Sequence, residues 1–125
     1  MRQVIKTTEA PEAIGPYSQA IRSGELLFCS GQIPIEPSTG ELVKESAPGQ
    51  ARRCLENLEA ICRAATTGLR RAVRVTVYLT DMGDFEQVNS VYEDYFPGDP
   101  PARVTIGVAA LPRGADVEIE AIVKI

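Results

Sequence analysis

The hydrophobic period switches repeatedly along the chain, and the order of those switches restricts the fold more than any single motif does. Period-two stretches come first: Gln3–Thr7, then two runs inside "YSQAIRSGELLFCSGQI" joined at the turn dipeptide Ser23-Gly24. "PIEPSTGELV" has the residues of a loop. From Ala47 the spacing becomes helical. Ala51, Cys54, Leu55, Leu58, Ile61, Cys62 and Ala65 form one stripe, with Arg52, Arg53, Glu56, Glu59 and Arg63 opposite. This predicts a helix of about five turns, with Gly68 as its stop signal. "VRVTVYL" alternates again. A second helix follows, with Phe85, Val88, Val91, Tyr92, Tyr95 and Phe96 as its stripe. Asp84 stands at its N-cap and Gln87 in the capping-box position, and "PGDPP" ends it. Ala102–Ala109 and Asp116–Ile125 complete the order β-β-β-α-β-α-β-β.

That order predicts an α+β fold, a two-layer sandwich of one six-stranded mixed sheet with both long helices on one face. The length suits a single domain, 1–125. Two helices cover only one face of a sheet. Yet Leu26–Ile33 is apolar on both alternating faces except at Ser30 and Gln32, and the last strands also carry apolar residues on both. The uncovered face is expected to pack against other subunits.

Charge and composition remove several function classes. The net charge of −4 argues against a nucleic-acid binder, which needs a basic face; the small cluster Arg70, Arg71 and Arg74 reads as a solvated face. No apolar run approaches the roughly 20 residues of a membrane helix. The N-terminus lacks the apolar core of a signal peptide, so a cytoplasmic location is expected. The three cysteines, Cys29, Cys54 and Cys62, cannot form a closed disulfide framework. On one helix Cys54 and Cys62 stand about 12 Å apart, beyond disulfide reach. All three read as small buried apolar groups in a reducing compartment. The chain has no histidine, which excludes a Ser-His-Asp triad, a Cys-His pair and His-ligated zinc. Any chemistry must come from carboxylates, hydroxyls, arginine, backbone groups and water.

"PPARVTIGV" places a long cation, Arg103, in an otherwise small and apolar strand. Arg103, Thr105 and Gly107 share one face of it; in the last strand Glu118, Glu120, Ile122 and Lys124 share one face. If the two strands are neighbours, Arg103 approaches Glu118 or Glu120. One reading is a plain cross-strand ion pair. The other is an anion site, in which the guanidinium fork grips a ligand carboxylate while a protein carboxylate holds or activates a water.

"PPARVTIGVAALPRGADVEIEAIV", "IGPYSQAI", "FCSGQIPI" and "VYLTDMGDFEQVNSVYEDYF" together resemble, in order and spacing, the blocks of the RidA (YjgF) family of reactive intermediate deaminases. The resemblance covers essentially the whole chain. It implies a chorismate-mutase-like fold, a homotrimer with clefts between subunits, and no cofactor or metal. It implies hydrolysis of 2-imino and enamine acids, such as 2-aminoacrylate and 2-iminobutyrate, to 2-keto acids and ammonia. These are released by pyridoxal-phosphate enzymes, notably serine/threonine dehydratases. By the same resemblance Arg103 binds the substrate carboxylate and Glu118, rather than Glu120, positions the attacking water. Tyr17, Ser30, Gly31 and Asn89 line the pocket. Thr105 stands where many members carry cysteine, so its main-chain groups remain for the ligand but no thiol does. "AATTGLRRAVRV" departs from the family's usual pattern, which bears on the shape of the neighbouring cleft.

The leading reading is therefore an imine/enamine deaminase. The alternative is a trimer that holds small 2-keto or 2-amino acids and regulates without catalysis. A ribonuclease activity, ascribed to some relatives, sits poorly with the acidic balance and the missing histidine.

Overall fold

The computed structural model describes residues 1–125. Its main sheet is built from β1 (Arg2–Ile5), β2 (Ala20–Ser23), β3 (Leu26–Gln32), β6 (Ala72–Leu79), β7 (Ala102–Gly107) and β8 (Val117–Lys124). A two-stranded ribbon, β4 (Ile35–Glu36) with β5 (Glu41–Leu42), lies apart from it. The helices are α1 (Ala47–Ala64) and α2 (Phe85–Tyr95). The sheet order is β1-β2-β3-β8-β6-β7, antiparallel throughout except for the parallel pair β6 and β7. A parallel pair needs a crossover, and α2 supplies it. The fold is thus the mixed six-stranded α+β sandwich that the period changes predict.

The core lies between the sheet and the helices. Leu27, Val75, Val77, Leu79, Val117, Ile119 and Val123 meet Leu55, Leu58 and Ile61 of α1 and Val88, Val91 and Tyr92 of α2. Each such aliphatic side chain contributes roughly 1.5–3 kcal/mol when taken out of water. All three cysteines are free thiols within this layer, at Cys29 on β3 and at Cys54 and Cys62 on α1. No helix is long and apolar enough to cross a membrane.

The opposite face has no covering layer in the chain. Phe28 is 44% exposed there, Ile106 41% and Val104 37%. Cross-strand pairing places Phe28 opposite Ile122, and Val104 and Ile106 opposite Thr76 and Tyr78.

Three local expectations are corrected. The loop expected in "PIEPSTGELV" contains the β4–β5 ribbon, because Gly40 takes φ +74° and lets the chain reverse. The first helix does not end on Gly68, which is extended. It ends in a Schellman arrangement in which Thr67 N–H donates to Cys62 O and Thr66 N–H to Arg63 O, with Thr66 itself at φ +59°. Asp84 makes no side-chain cap; Asp81 does, accepting from Gly83 N–H at 2.8 Å, because a single 3-10 turn precedes α2.

Candidate functional site

Arg103 lies on the helix-covered face of β7. Its register partner Val75 is fully buried under the helices, which fixes that orientation. On α2, Phe85, Asn89 and Tyr92 recur at helical spacing and meet it. The guanidinium sits 4.7 Å from the centroid of the Tyr92 ring and 5.6 Å from that of Phe85. Its Nη1 donates to Asn89 Oδ1 at 2.8 Å. None of the chain's ion pairs includes Arg103. Arg103 is exposed, so its remaining N–H donors are open to an anion. Thr105 lies two residues along on the same face, half-buried, and Gly107 beyond it lies under Met82.

Glu118 is the second candidate. It stands opposite Tyr78 in the β6–β8 register, on the face away from the helices. It lines a cleft of about 480 Å³ with Tyr17, Ser30, Gly31, Ile33 and Arg113. A register shift between Cys29 and Gln32 inserts one extra residue into β3 and places Ser30 and Gly31 in a bulge beside β8. The Glu118 carboxyl lies over Gly31: a Cβ there would fall on Oε2 and stand 3.0 Å from Cδ. Burial first, and the neighbouring Glu120 second, push the Glu118 carboxyl above its ordinary range. No cation of its own chain pairs with it. A half-buried carboxylate of raised pKa without a cation is suited to accept a proton.

The segment before β2 is tied to this cleft. Ser30 Oγ donates to Ser18 O at 2.6 Å, and Ser30 N–H to Gln19 O at 2.9 Å. Gln19 is buried and holds the preceding loop from both ends of its amide. It accepts from Thr7 N–H at 2.7 Å and donates to Pro11 O at 2.7 Å. Gly15 at φ +124° allows the turn that leads to Tyr17, whose Oη accepts from Ile14 N–H at 3.2 Å. Ser30 therefore ties the residues that follow Tyr17 to β3 as well as lining the cleft.

The structure separates the two groups that strand alternation allowed to meet. β6 lies between β7 and β8, and Arg103 and Glu118 project from opposite faces. Neither Glu118 nor Glu120 pairs with Arg103 in the chain, so the plain ion pair is ruled out. Asn89 joins Arg103, while Tyr17, Ser30 and Gly31 join Glu118. The unusual 66–72 segment is not part of the cleft. Thr67 and Arg71 bond to Lys124 O, at the far end of β8 from Glu118. Sequence reasoning missed the aromatic cradle of Arg103, although Phe85, Asn89 and Tyr92 fall on one helical face. It also missed Gln19 and Arg113. No cluster of His, Cys, Asp or Glu side chains suited to a metal ion occurs.

These features define a class: small α+β sandwiches with an exposed arginine free of any ion pair, a half-buried carboxylate on the other face and an uncovered sheet face. The family described as Endoribonuclease L-PSP, the YjgF/RidA family, matches residues 7–125, and the chain belongs to it. A RutC family protein of Sinorhizobium fredii is 54% identical over 100% of this chain and 99% of its own. The mouse 2-iminobutanoate/2-iminopropanoate deaminase is 49% identical over 98% of this chain and 90% of its own. The crystal structure of Escherichia coli TdcF with bound serine superposes with a TM-score of 0.92 at 41% identity, covering 98% of each chain.

Proposed function

We propose that this protein hydrolyses 2-imino and enamine acids to 2-keto acids and ammonia, in a site assembled from two copies of the chain. The observation that carries the proposal is the unpaired Glu118 carboxyl, raised by burial and Glu120 and seated over Gly31. The likeness to the mouse deaminase supports the reaction, and serine bound in TdcF supports a ligand with an amino-acid backbone. The placement of Arg103 and Glu118 on opposite faces supports a shared site, since one chain cannot bring them together. The exposed Phe28, Val104 and Ile106 support association through the uncovered face, in the homotrimer that is usual for the family.

In this reading Arg103 of one copy binds the substrate carboxylate through its free N–H groups. Asn89 and the two rings hold the guanidinium in place, which lowers the cost of ordering it. Glu118 of the neighbouring copy takes a proton from water as the oxygen attacks the protonated C=N carbon. The resulting carbinolamine accepts that proton on nitrogen; as its C–N bond breaks and ammonia leaves, the Glu118 carboxylate takes the hydroxyl proton and the keto acid remains. Tyr17 and Ser30 border the nitrogen and the water. Pyridoxal-phosphate dehydratases acting on serine or threonine are the expected suppliers of the substrate.

The test is a dehydratase reaction on serine or threonine with semicarbazide present to trap free imine. Added protein is expected to lower the semicarbazone yield and speed keto-acid release. Arg103→Ala is expected to lose this effect while remaining folded. Full activity in that variant would remove Arg103 as the clamp, and no effect of the unsubstituted protein on either substrate would remove the reaction.

A further inference from the structure

Tyr78 faces a choice between two carboxylates. In the β6–β8 register it stands directly opposite Glu118, yet its hydroxyl reaches diagonally to Glu120, at 3.2 Å from Oε1 and 3.3 Å from Oε2. Directly opposed side chains are the nearer neighbours on a sheet face, so the diagonal bond is a specific arrangement. It spans both oxygens of one carboxylate and leaves the other without a donor.

We propose that Tyr78 and Glu120 are positioning residues for Glu118: the Tyr78 hydroxyl fixes the second carboxylate beside Glu118 and leaves Glu118 itself free of a donor. A carboxylate beside a like charge and lacking hydrogen-bond donors binds a proton more tightly. The inference rests on the deaminase reading only for the use made of that proton. The physical directions agree. Glu120 is the second cause, after burial, of the upward shift at Glu118. Tyr78 is itself held above its ordinary range, by burial first and Glu120 next, so it stays protonated as a donor.

The charged surroundings of the trio are few. From β6 come Tyr78 and Arg74, the latter acting to lower Tyr78; from β8 come Glu118 and Glu120. Across the cleft stand Tyr17, Glu12 and Arg113. β3 and β7 offer no charged side chain on this side. In the proposed shared site Arg103 of a neighbouring copy is unaltered in every variant below.

The experiment follows side-chain carboxyl carbons of glutamate by NMR through a pH titration, with Glu118 assigned from the resonance missing in Glu118→Gln. Glu120→Gln is expected to lower the Glu118 midpoint toward the ordinary carboxylate range without reaching it, because burial is the larger cause. Tyr78→Phe frees Glu120 to turn away, so the midpoint falls part of that distance. Tyr78→Phe added to Glu120→Gln produces no further fall, because Tyr78 acts only through Glu120. The acid limb of imine hydrolysis moves with the midpoint in each variant. An unchanged Glu118 midpoint in Glu120→Gln overturns the proposal, as does a Tyr78→Phe shift that persists at full size without Glu120. A midpoint that moves while the acid limb stays fixed supports the positioning role and instead overturns Glu118 as the base.

Discussion

At Gly31, an added Cβ meets the far end of the Glu118 side chain before anything else. Glu118 is able to swing aside, so the fold tolerates Gly31→Ala, but the carboxyl loses its seat. A displacement of about 1 Å in a reacting group costs on the order of 100-fold in rate. Gly31→Ala is therefore expected to keep a near-normal melting temperature and lose about 100-fold in imine hydrolysis; unimpaired hydrolysis would show that the carboxyl does not act from this seat. Glu118 also has a signature in stability. Its folded pKa lies above the ordinary 4.5, so the stabilisation from its neutral form is complete below that value and is lost as pH rises through the folded pKa. At pH 7 the ionised group costs the fold, and Glu118→Gln removes the cost. Solvent screening of a half-exposed group keeps the gain under about 1 kcal/mol. Thermal melts are expected to show Glu118→Gln ahead of the parent at pH 7 and level with it below pH 4.5; a deficit at neutral pH would mean that the carboxylate is stabilising. The sequence carried the identity of these residues but not their grouping. Alternation shows that Arg103 and Thr105 share a face, and that Glu118 and Glu120 do. It is silent on which face of the sheet each pair takes, and that depends on register with β6.

The elements were largely legible because their periods are strong. The stripe Ala51–Cys54–Leu55–Leu58–Ile61–Cys62 is buried as the spacing predicts, and so are Val88, Val91 and Tyr92. Their ends were less legible, since an end depends on one backbone angle. At the close of α1 the left-handed position falls to Thr66, φ +59°, while the glycine that normally marks it stands two residues later in extended backbone. A left-handed L-residue costs roughly 1–2 kcal/mol, and glycine avoids this at the expense of some chain entropy. Thr66→Gly is therefore expected to stabilise the protein by about 1 kcal/mol in denaturant unfolding at fixed protein concentration. A loss of stability would show that the Thr66 Oγ contact with Ala65 O, at 2.6 Å, outweighs the strain. Because this turn packs at the Lys124 end of β8, imine hydrolysis is expected to stay unchanged.

The whole molecule presents Arg103 and Glu118 on opposite faces of one sheet. β7 is an edge strand, and its Arg103 faces the helices; β8 is central, and its Glu118 faces away from them. The surplus of apolar residues over what two helices cover was readable in Leu26–Ile33 and the last strands, and Phe28, Val104 and Ile106 are its exposed remainder. What alternation alone could not reveal is that Arg103 and Glu118 leave opposite faces of the sheet, because that follows from the strand order and register. The proposed sharing has a quantitative consequence. Arg103→Ala and Glu118→Gln are each expected to be inactive alone, since every site lacks one half. When the two variants are unfolded together and reassembled, some sites receive an intact Arg103 from one chain and an intact Glu118 from the next. Random assortment in a closed ring of copies makes roughly a quarter of the sites whole at equal mixing. Recovery of about that fraction of the parent's hydrolysis rate is expected, rising and falling with the mixing ratio. If both residues instead served a site within one chain, no mixture of the two variants would contain a complete site, and activity would stay absent at every ratio.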